Sequence, residues 1–196
     1  MQDFLGFRPK YSILGSGALP PVIEKVMYNS VTIREGGAVQ NEAGFIADLD
    51  AASQDVFGYC VGFRDRDGFS YDHKTANFGG TWTASSQGNS YAASSSNSDS
   101  GGNNVVALVI PAFGVVCSGY LSAAAAGTVG SNVAGYYLDI LTSAEEQLDE
   151  TSASTTAAQF QLMRGATARL ATDPEHPEST RRVMVLATET EQANDV

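Results

Sequence analysis

Alternation of apolar and polar positions dominates the chain, and this pattern predicts β-strands. The clearest case is GFIADLD, in which the apolar Phe45, Ala47 and Leu49 fall on one face and Asp48 and Asp50 fall on the other. A period of two residues is typical of a strand with one face in a core. Patterns with a helical period are scarce, so the sequence predicts a mainly β protein.

The run VFGYCVGF predicts a central strand of the sheet. Its bulky side chains fall on one predicted face, which comprises Phe57, Tyr59, Val61 and Phe63. The other face carries Gly58, Cys60 and Gly62, which are small enough for another backbone to approach closely. We expect neighbouring strands on both sides.

Further runs of strand length predict a β-sandwich or β-barrel of about eight to ten strands. These runs are NVVALVIPAFGVVCSGYLS, which is interrupted at Pro111, and then GYYLDILT, AQFQLMRG and RRVMVLATET. The pair Asp67-Gly68 predicts a tight hairpin turn. The best helix candidate is SAEEQLDET, where Ser143 and Glu146 fit a capping box over one or two turns.

Residues 84–104 predict a long Ser/Asn/Gly-rich loop, because ASSQGNSYAASSSNSDSGGNN contains eight serines and four asparagines. This loop divides the predicted strands, so the β-rich domain, residues 13–190, is either one unit or two lobes at 13–83 and 105–190. Residues 191–196 form a polar C-terminal tail.

Residues 1–12 predict an N-terminal arm that precedes the first convincing strand. Its apolar side chains are Phe4, Leu5, Phe7 and Tyr11. They either bind a neighbouring molecule or cover an open edge of their own domain. If the arm binds a partner, its deletion weakens attachment and leaves the β-domain folded.

Two aromatic residues near the polar loop are further candidates for partner contacts. Trp82 precedes the loop and Tyr91 interrupts it, and aromatic anchors among small polar residues are typical of adaptable contact loops. The alternative is a surface insertion without a partner.

Charge and composition exclude several partners. The 196 residues carry a net charge of −11, which repels nucleic-acid phosphates and anionic lipid. The N-terminus lacks the pattern of a signal peptide, and no apolar run is long enough to span a membrane. We therefore expect a chain made in a cytoplasm that binds neither nucleic acid nor membrane, with Cys60 and Cys117 as reduced core thiols.

The sequence offers little catalytic chemistry, and we expect no catalytic, cofactor-binding or metal-binding residues. His73 has Asp72 and Ser70 nearby, but neighbours on a strand alternate faces and do not assemble a catalytic triad. His176 lies in DPEHPE, which is typical of an exposed turn. The acidic clusters around Asp48 and Asp65 lack the full spacing of a calcium loop.

Three stretches together resemble the head decoration (cement) proteins of tailed bacteriophages. They are VTIREGGAV leading into GFIADLDAASQDVFGYCVGF (31–63), SGYLSAAAAGTVGSNVAGYYLDI (118–140), and FQLMRGATARLATDPEHPESTRRVMVLA (160–187). The resemblance implies a β-rich, non-enzymatic virion protein on the capsid exterior. It also implies synthesis in the host bacterial cytoplasm, the major capsid protein as partner, stabilisation of contacts between coat subunits, and a homo-oligomer, with a trimer favoured.

Two other classes of function stay open. One is a carbohydrate- or receptor-binding β-sandwich of a phage tail or fibre, with Trp82 and Tyr91 as stacking platforms. The other is a small hydrolase that uses His73 with Asp72 or Ser70.

Overall fold

The alternating segments form antiparallel strands in the computed structural model, which describes residues 6–28, 30–65, 81–85, 88–92, 105–122, 133–142, 144–156, 158–165, 171–175 and 181–190. Within these ranges the chain is mainly β, as predicted, and has no helix. The fourteen strands exceed the eight to ten expected. They are β1 (Arg8–Ser12), β2 (Ile23–Val26), β3 (Thr32–Arg34), β4 (Ala38–Glu42), β5 (Phe45–Asp48), β6 (Gly58–Asp65), β7 (Thr81–Ser85), β8 (Gly88–Ala92), β9 (Val105–Pro111), β10 (Val115–Tyr120), β11 (Tyr137–Leu141), β12 (Ala144–Ser154), β13 (Phe160–Leu162) and β14 (Arg182–Ala187).

The strands form sheets of six, five and three strands. The orders are β1-β10-β14-β13-β11-β12, β2-β9-β6-β4-β5 and β3-β8-β7. A bridge between Leu121 and Leu148 brings β12 back towards the end of β10, and a bridge between Met27 and Ile46 brings β5 back towards β2. Both larger sheets therefore curl strongly, and the architecture is consistent with a β-sandwich.

The main hydrophobic core lies between the six-stranded and five-stranded sheets. Its fully buried members include Tyr59 from β6, Leu138 from β11, Phe160 from β13 and Val185 from β14. Because the six-stranded sheet supplies three of these residues and the five-stranded sheet the fourth, one continuous core joins the two sheets.

A second core covers the opposite face of the five-stranded sheet, where Cys60 and Phe63 of β6 lie with Ile46 of β5. The predicted grouping of Phe57 and Phe63 with Tyr59 is therefore wrong, because both phenylalanines pack in this second core. A β-bulge between Cys60 and Gly62 shifts the register, and an extra residue reverses which face the later side chains occupy. The central position of β6, between β4 and β9, is as predicted.

The sheets do not follow the two predicted lobes. Strand β9 comes after the polar loop, yet it lies between β2 and β6 of the preceding strand group. The polar loop itself is partly regular: its residues 84–85 end β7, and its residues 88–92 form β8, which pairs with β3 and β7. The Asp67-Gly68 turn and the tail 191–196 lie outside the described residues.

The predicted helix after Ser143 is wrong, because residues Ala144–Ser154 form β12. This strand pairs antiparallel with β11, where Ile140 lies opposite Leu148. Both side chains are buried in the main core. The packing of this pair overrides the local capping signal, since tertiary context regularly outweighs helix propensity.

The N-terminal segment is part of the fold from residue 6 onwards, which corrects the prediction of a separate arm. Strand β1 forms the edge of the six-stranded sheet and pairs with β10. Phe7 is only 2% exposed and stacks on Phe160, with ring centroids 5.1 Å apart. Of the two alternatives, the segment therefore covers an edge of its own domain, and deletion of residues 1–12 would remove a strand and a core side chain.

Candidate interaction surface

Exposed large apolar side chains of the described ranges are concentrated in two short segments. Five of them lie between residues 11 and 22 and one lies in the turn between β9 and β10; they are Tyr11, Ile13, Leu14, Leu19, Val22 and Phe113. Scattered exposed apolar residues are normal on a protein surface, whereas contiguous groups are typical of interaction sites.

Backbone hydrogen bonds bring the two segments together. The Ile13 N–H donates to the Gly114 carbonyl at 2.8 Å, and the Ser12 N–H donates to the Gly17 carbonyl at 3.2 Å. The Ser12 hydroxyl accepts a further bond from the Leu14 N–H at 3.0 Å. These bonds place the end of β1 beside the β9–β10 turn.

Gly114 allows the close approach of Leu14. Its φ of +69° is in the left-handed region, and a Cβ built on it would lie 2.6 Å from the Leu14 side chain. Only glycine meets both conditions without strain. The Leu14 side chain therefore sits directly over the turn that carries Phe113.

Together these segments form one side of a shallow groove, which we call the Leu14 groove. Its volume is about 280 Å³, and its lining residues are Ile13, Leu14, Phe113, Gly114, Leu186, Ala187, Thr188 and Thr190. Ile13 is 52% exposed, and Leu14 and Phe113 are each 48% exposed. If a large apolar side chain has ~200 Å² of surface, these three expose roughly 300 Å².

The two segments that carry the exposed apolar side chains contain no charged residue. No charged residue occurs between Lys10 and Glu24, and the described β9–β10 segment, 105–122, contains none either. Glu189 lies between the groove residues Thr188 and Thr190. Glu189 itself does not line the groove; burial raises its pKa, and the negative charges of Asp55 and Asp139 raise it further.

A buried arginine fixes the start of β1. Arg182 is fully buried, and its Nη1 donates to the Gly6 carbonyl at 2.8 Å. The guanidinium carbon lies 5.1 Å from the ring centre of Tyr120, which is the geometry of a cation–π contact. Arg182 thus ties β14 to the chain that leads into β1.

A second polar cluster holds the middle of β1. Lys10 forms an ion pair with Glu175 and lies 3.9 Å from a carboxylate oxygen of Asp173. Ser118 on β10 donates to the same carboxylate at 2.5 Å, and both Ser118 and Asp173 are buried. Because β1 is anchored along its length, the apolar side chains that follow it are presented on a rigid support.

The thiols are structural. Cys60 and Cys117 are both buried and form no disulfide, which confirms the prediction that they are core thiols. Burial raises the pKa of the Cys117 thiol, against a smaller lowering from the Tyr59 hydroxyl. A buried thiol of raised pKa is not an activated nucleophile.

The described ranges contain no cluster of three His, Cys, Asp or Glu side chains suited to a metal ion. Nor do they contain a helix with the length and apolar character needed to cross a bilayer. His73, with Ser70 and Asp72, and His176 lie outside the described residues.

The predicted contact residues have different positions in the structure. Phe7 is buried in its own core and is therefore not a partner contact, whereas Tyr11 is 40% exposed. Trp82 lies opposite Tyr91 in the β7–β8 pair, and Tyr91 lies opposite the buried Ile33. Phe4 and Leu5 lie outside the described residues.

Sequence reasoning missed Ile13, Leu14 and Phe113. A signal was present, because SILGSGALPPVI has apolar residues without alternation or charge. This pattern fits neither a half-buried strand, which alternates, nor a solvated loop, which is polar. The Phe113 contribution depends on a contact between distant segments and had no local signal.

Comparison with protein-family models, curated proteins and solved structures finds no match to this chain.

Proposed function

We propose that this protein is a non-enzymatic structural component of a tailed-bacteriophage virion. It binds the outside of the head, contacts the major capsid protein and stabilises contacts between coat subunits. The observation that carries the proposal is the Leu14 groove, where Ile13, Leu14 and Phe113 are about half exposed on a well-anchored support. The specific setting, a phage head, rests on the resemblance of the three sequence stretches.

The size of the groove favours attachment at several points. Burial of roughly 300 Å² of apolar surface at ~25 cal/mol per Å² contributes at most about 7 kcal/mol. Association of two proteins costs an estimated 4 to 15 kcal/mol. One groove alone therefore binds weakly, while a trimer that engages three equivalent sites gains strongly from effective concentration.

The buried polar side chains support a structural role. Gln159 is fully buried, and its side-chain amide donates to the carbonyls of Ala51 and Gln54 at 3.0 and 2.7 Å. Its side-chain oxygen accepts a bond from the Ile140 N–H at 3.0 Å. The Gln159 side chain thus uses both of its amide hydrogens and its oxygen to connect backbone segments, and a buried polar group satisfied in this way rigidifies a core.

Reconstitution on particles tests the proposal. Heads from a phage that lacks this gene are mixed with purified wild-type chain or with Leu14→Ser, Phe113→Ser or Leu19→Ser, and bound chain is measured after sedimentation. Leu19 is the matched control, because it is exposed and apolar but does not line the groove.

We expect wild type and Leu19→Ser to bind alike, and each groove variant to bind about tenfold or more weakly, since each loses close to half a large apolar side chain from the interface. Wild-type chain that fails to bind the heads contradicts the proposal. Equal binding of all four proteins shows that attachment uses another surface.

One observation favours the alternative of glycan binding, which is the position of Trp82 opposite Tyr91 on adjacent strands. The test is a glycan array probed with wild type and Trp82→Ala. Binding that the substitution abolishes supports this alternative, and the absence of any glycan ligand rejects it.

A further inference from the structure

Strand β1 is anchored in its sheet by the second half of the chain. Arg8 lies opposite Ser118 of β10, and the Arg182 guanidinium donates to the Gly6 carbonyl across 176 residues of sequence. Contacts between residues so far apart form late in folding. Strand β1 therefore has no place in its own sheet until nearly the whole chain has been made, and meanwhile β10 of a neighbouring copy offers the same pairing edge.

The segment 13–22 joins β1 to the rest of its own copy. Strand β1 is an edge of the six-stranded sheet and β2 is an edge of the five-stranded sheet, so this linker passes from one sheet to the other. Its ten residues span roughly 33 Å when extended. The linker is therefore long enough to carry β1 to the β10 edge of an adjacent copy.

Few residues of the linker are free to adapt. At its start the Ser12 N–H donates to the Gly17 carbonyl at 3.2 Å, and Gly15 and Gly17 have φ values of +68° and +82°, so the chain folds back in a tight turn. Towards its end Pro20 and Pro21 favour extended backbone. Hinges that are short or stiff favour exchange of the element that they carry.

The linker also carries apolar side chains that a single copy leaves uncovered. Of the exposed large apolar side chains in the described ranges, four belong to the linker, namely Ile13, Leu14, Leu19 and Val22. After exchange the linker runs between two copies, so its side chains lose contact with water. The contacts of β1 itself are the same in both forms, and this burial therefore favours the exchanged form.

We propose that β1 is exchanged between copies of this chain, so that β1 of each copy pairs with β10 of a neighbour. The ion pair of Lys10 with Glu175 and the bond from Arg182 to Gly6 then join different copies. This inference goes beyond the proposed function, because it concerns the contact between copies and is independent of attachment to a phage head.

A cross-link between β1 and β10 tests the exchange on the full-length protein. Pro9 lies opposite the native Cys117, and residues directly opposite in an antiparallel pair have Cα atoms about 4.5 to 5.5 Å apart, which suits a disulfide. The Pro9→Cys variant is refolded under mild oxidation and separated on a denaturing gel without reductant. The matched control combines Pro9→Cys with Cys117→Ala, and sedimentation gives the mass of the wild-type chain in solution.

We expect the wild-type chain to sediment as an oligomer. Most of the cross-linked Pro9→Cys variant runs as covalent dimers or larger species, and the control forms none. Three results overturn the inference: a wild-type monomer at every concentration, an oligomer whose cross-links lie within single chains, or no cross-link at all, since the two thiols are opposite each other in either form.

Linker length provides a second test that leaves β1 and its contacts intact. Deletion of residues 15–17 removes the turn, whereas insertion of three glycines after Gly17 gives the linker freedom to close. We expect the deletion to shift the equilibrium between monomer and oligomer towards the oligomer by about tenfold or more, and the insertion to shift it equally far towards the monomer. Equal masses for both variants contradict the exchange. Neither test uses a phage particle, so their failure leaves the reconstitution on heads unaffected.

Discussion

Substitution of Phe7 by alanine tests whether the N-terminal segment is part of the core. The Phe7 side chain is 2% exposed and lies 5.1 Å from the Phe160 ring centre and 5.2 Å from that of Tyr59. Truncation of a buried phenylalanine to alanine costs about 3 to 5 kcal/mol. Because Phe7 contacts two aromatic rings, we expect a loss of about 4 kcal/mol, which is above the lower end of this range.

Urea unfolding followed by the fluorescence of the single tryptophan measures this loss. Phe113→Ala is the matched control, since it removes the same atoms from a side chain that is 48% exposed, and we expect it to cost about 1 kcal/mol or less. A Phe7→Ala variant whose free energy of unfolding falls no further than that of the control refutes the placement of Phe7 in the core and restores the idea of a separate arm.

Three further predictions concern close packing, the thiols and pH. Gly58→Ala destabilises the protein by about 1 to 3 kcal/mol in the same urea assay, because the added Cβ would lie 2.6 Å from the Ile110 carbonyl oxygen; an unchanged midpoint contradicts this packing. Cys60 and Cys117 react with a thiol reagent only as fast as the protein unfolds, since both are buried, and rapid labelling of the native state would show that the cores are open. The pKa of Glu189 is raised above its ordinary value of 4.5, so the native state holds this proton more tightly than the unfolded chain, and the associated stability is present at low pH and lost as pH rises past 4.5 through the folded value. Glu189→Gln therefore raises the urea midpoint at pH 7 and leaves it unchanged at pH 3; no gain at pH 7 would refute the shift.

Most strands were predictable from sequence because their signals are local. The break at Pro111 separates β9 from β10 as expected, and Pro111 ends its strand opposite Gly58. The face of Phe63 was not predictable, because the bulge before it arises from how β6 meets β9. The strand after Ser143 was missed for a similar reason, since its partner β11 is what selects an extended conformation.

The candidate interaction surface was only partly predictable. The sequence pointed to the N-terminal segment, but it could not separate Phe7, which enters the core, from Tyr11, which stays exposed. This difference depends on the anchoring of β1 by Arg182, which comes from the far end of the chain. The pairing of Leu14 with the turn at Phe113 depends on a contact across about a hundred residues of sequence, so no periodic pattern reports it.

The measurement that tests the central claim most directly is the sedimentation of a native lysate from cells that produce this chain, with each gradient fraction analysed by mass spectrometry. We predict that the chain travels with particles thousands of times its own mass of 20.5 kDa, together with a more abundant coat protein. A chain found only at the top of the gradient, as a small free species, would contradict the assignment to a virion.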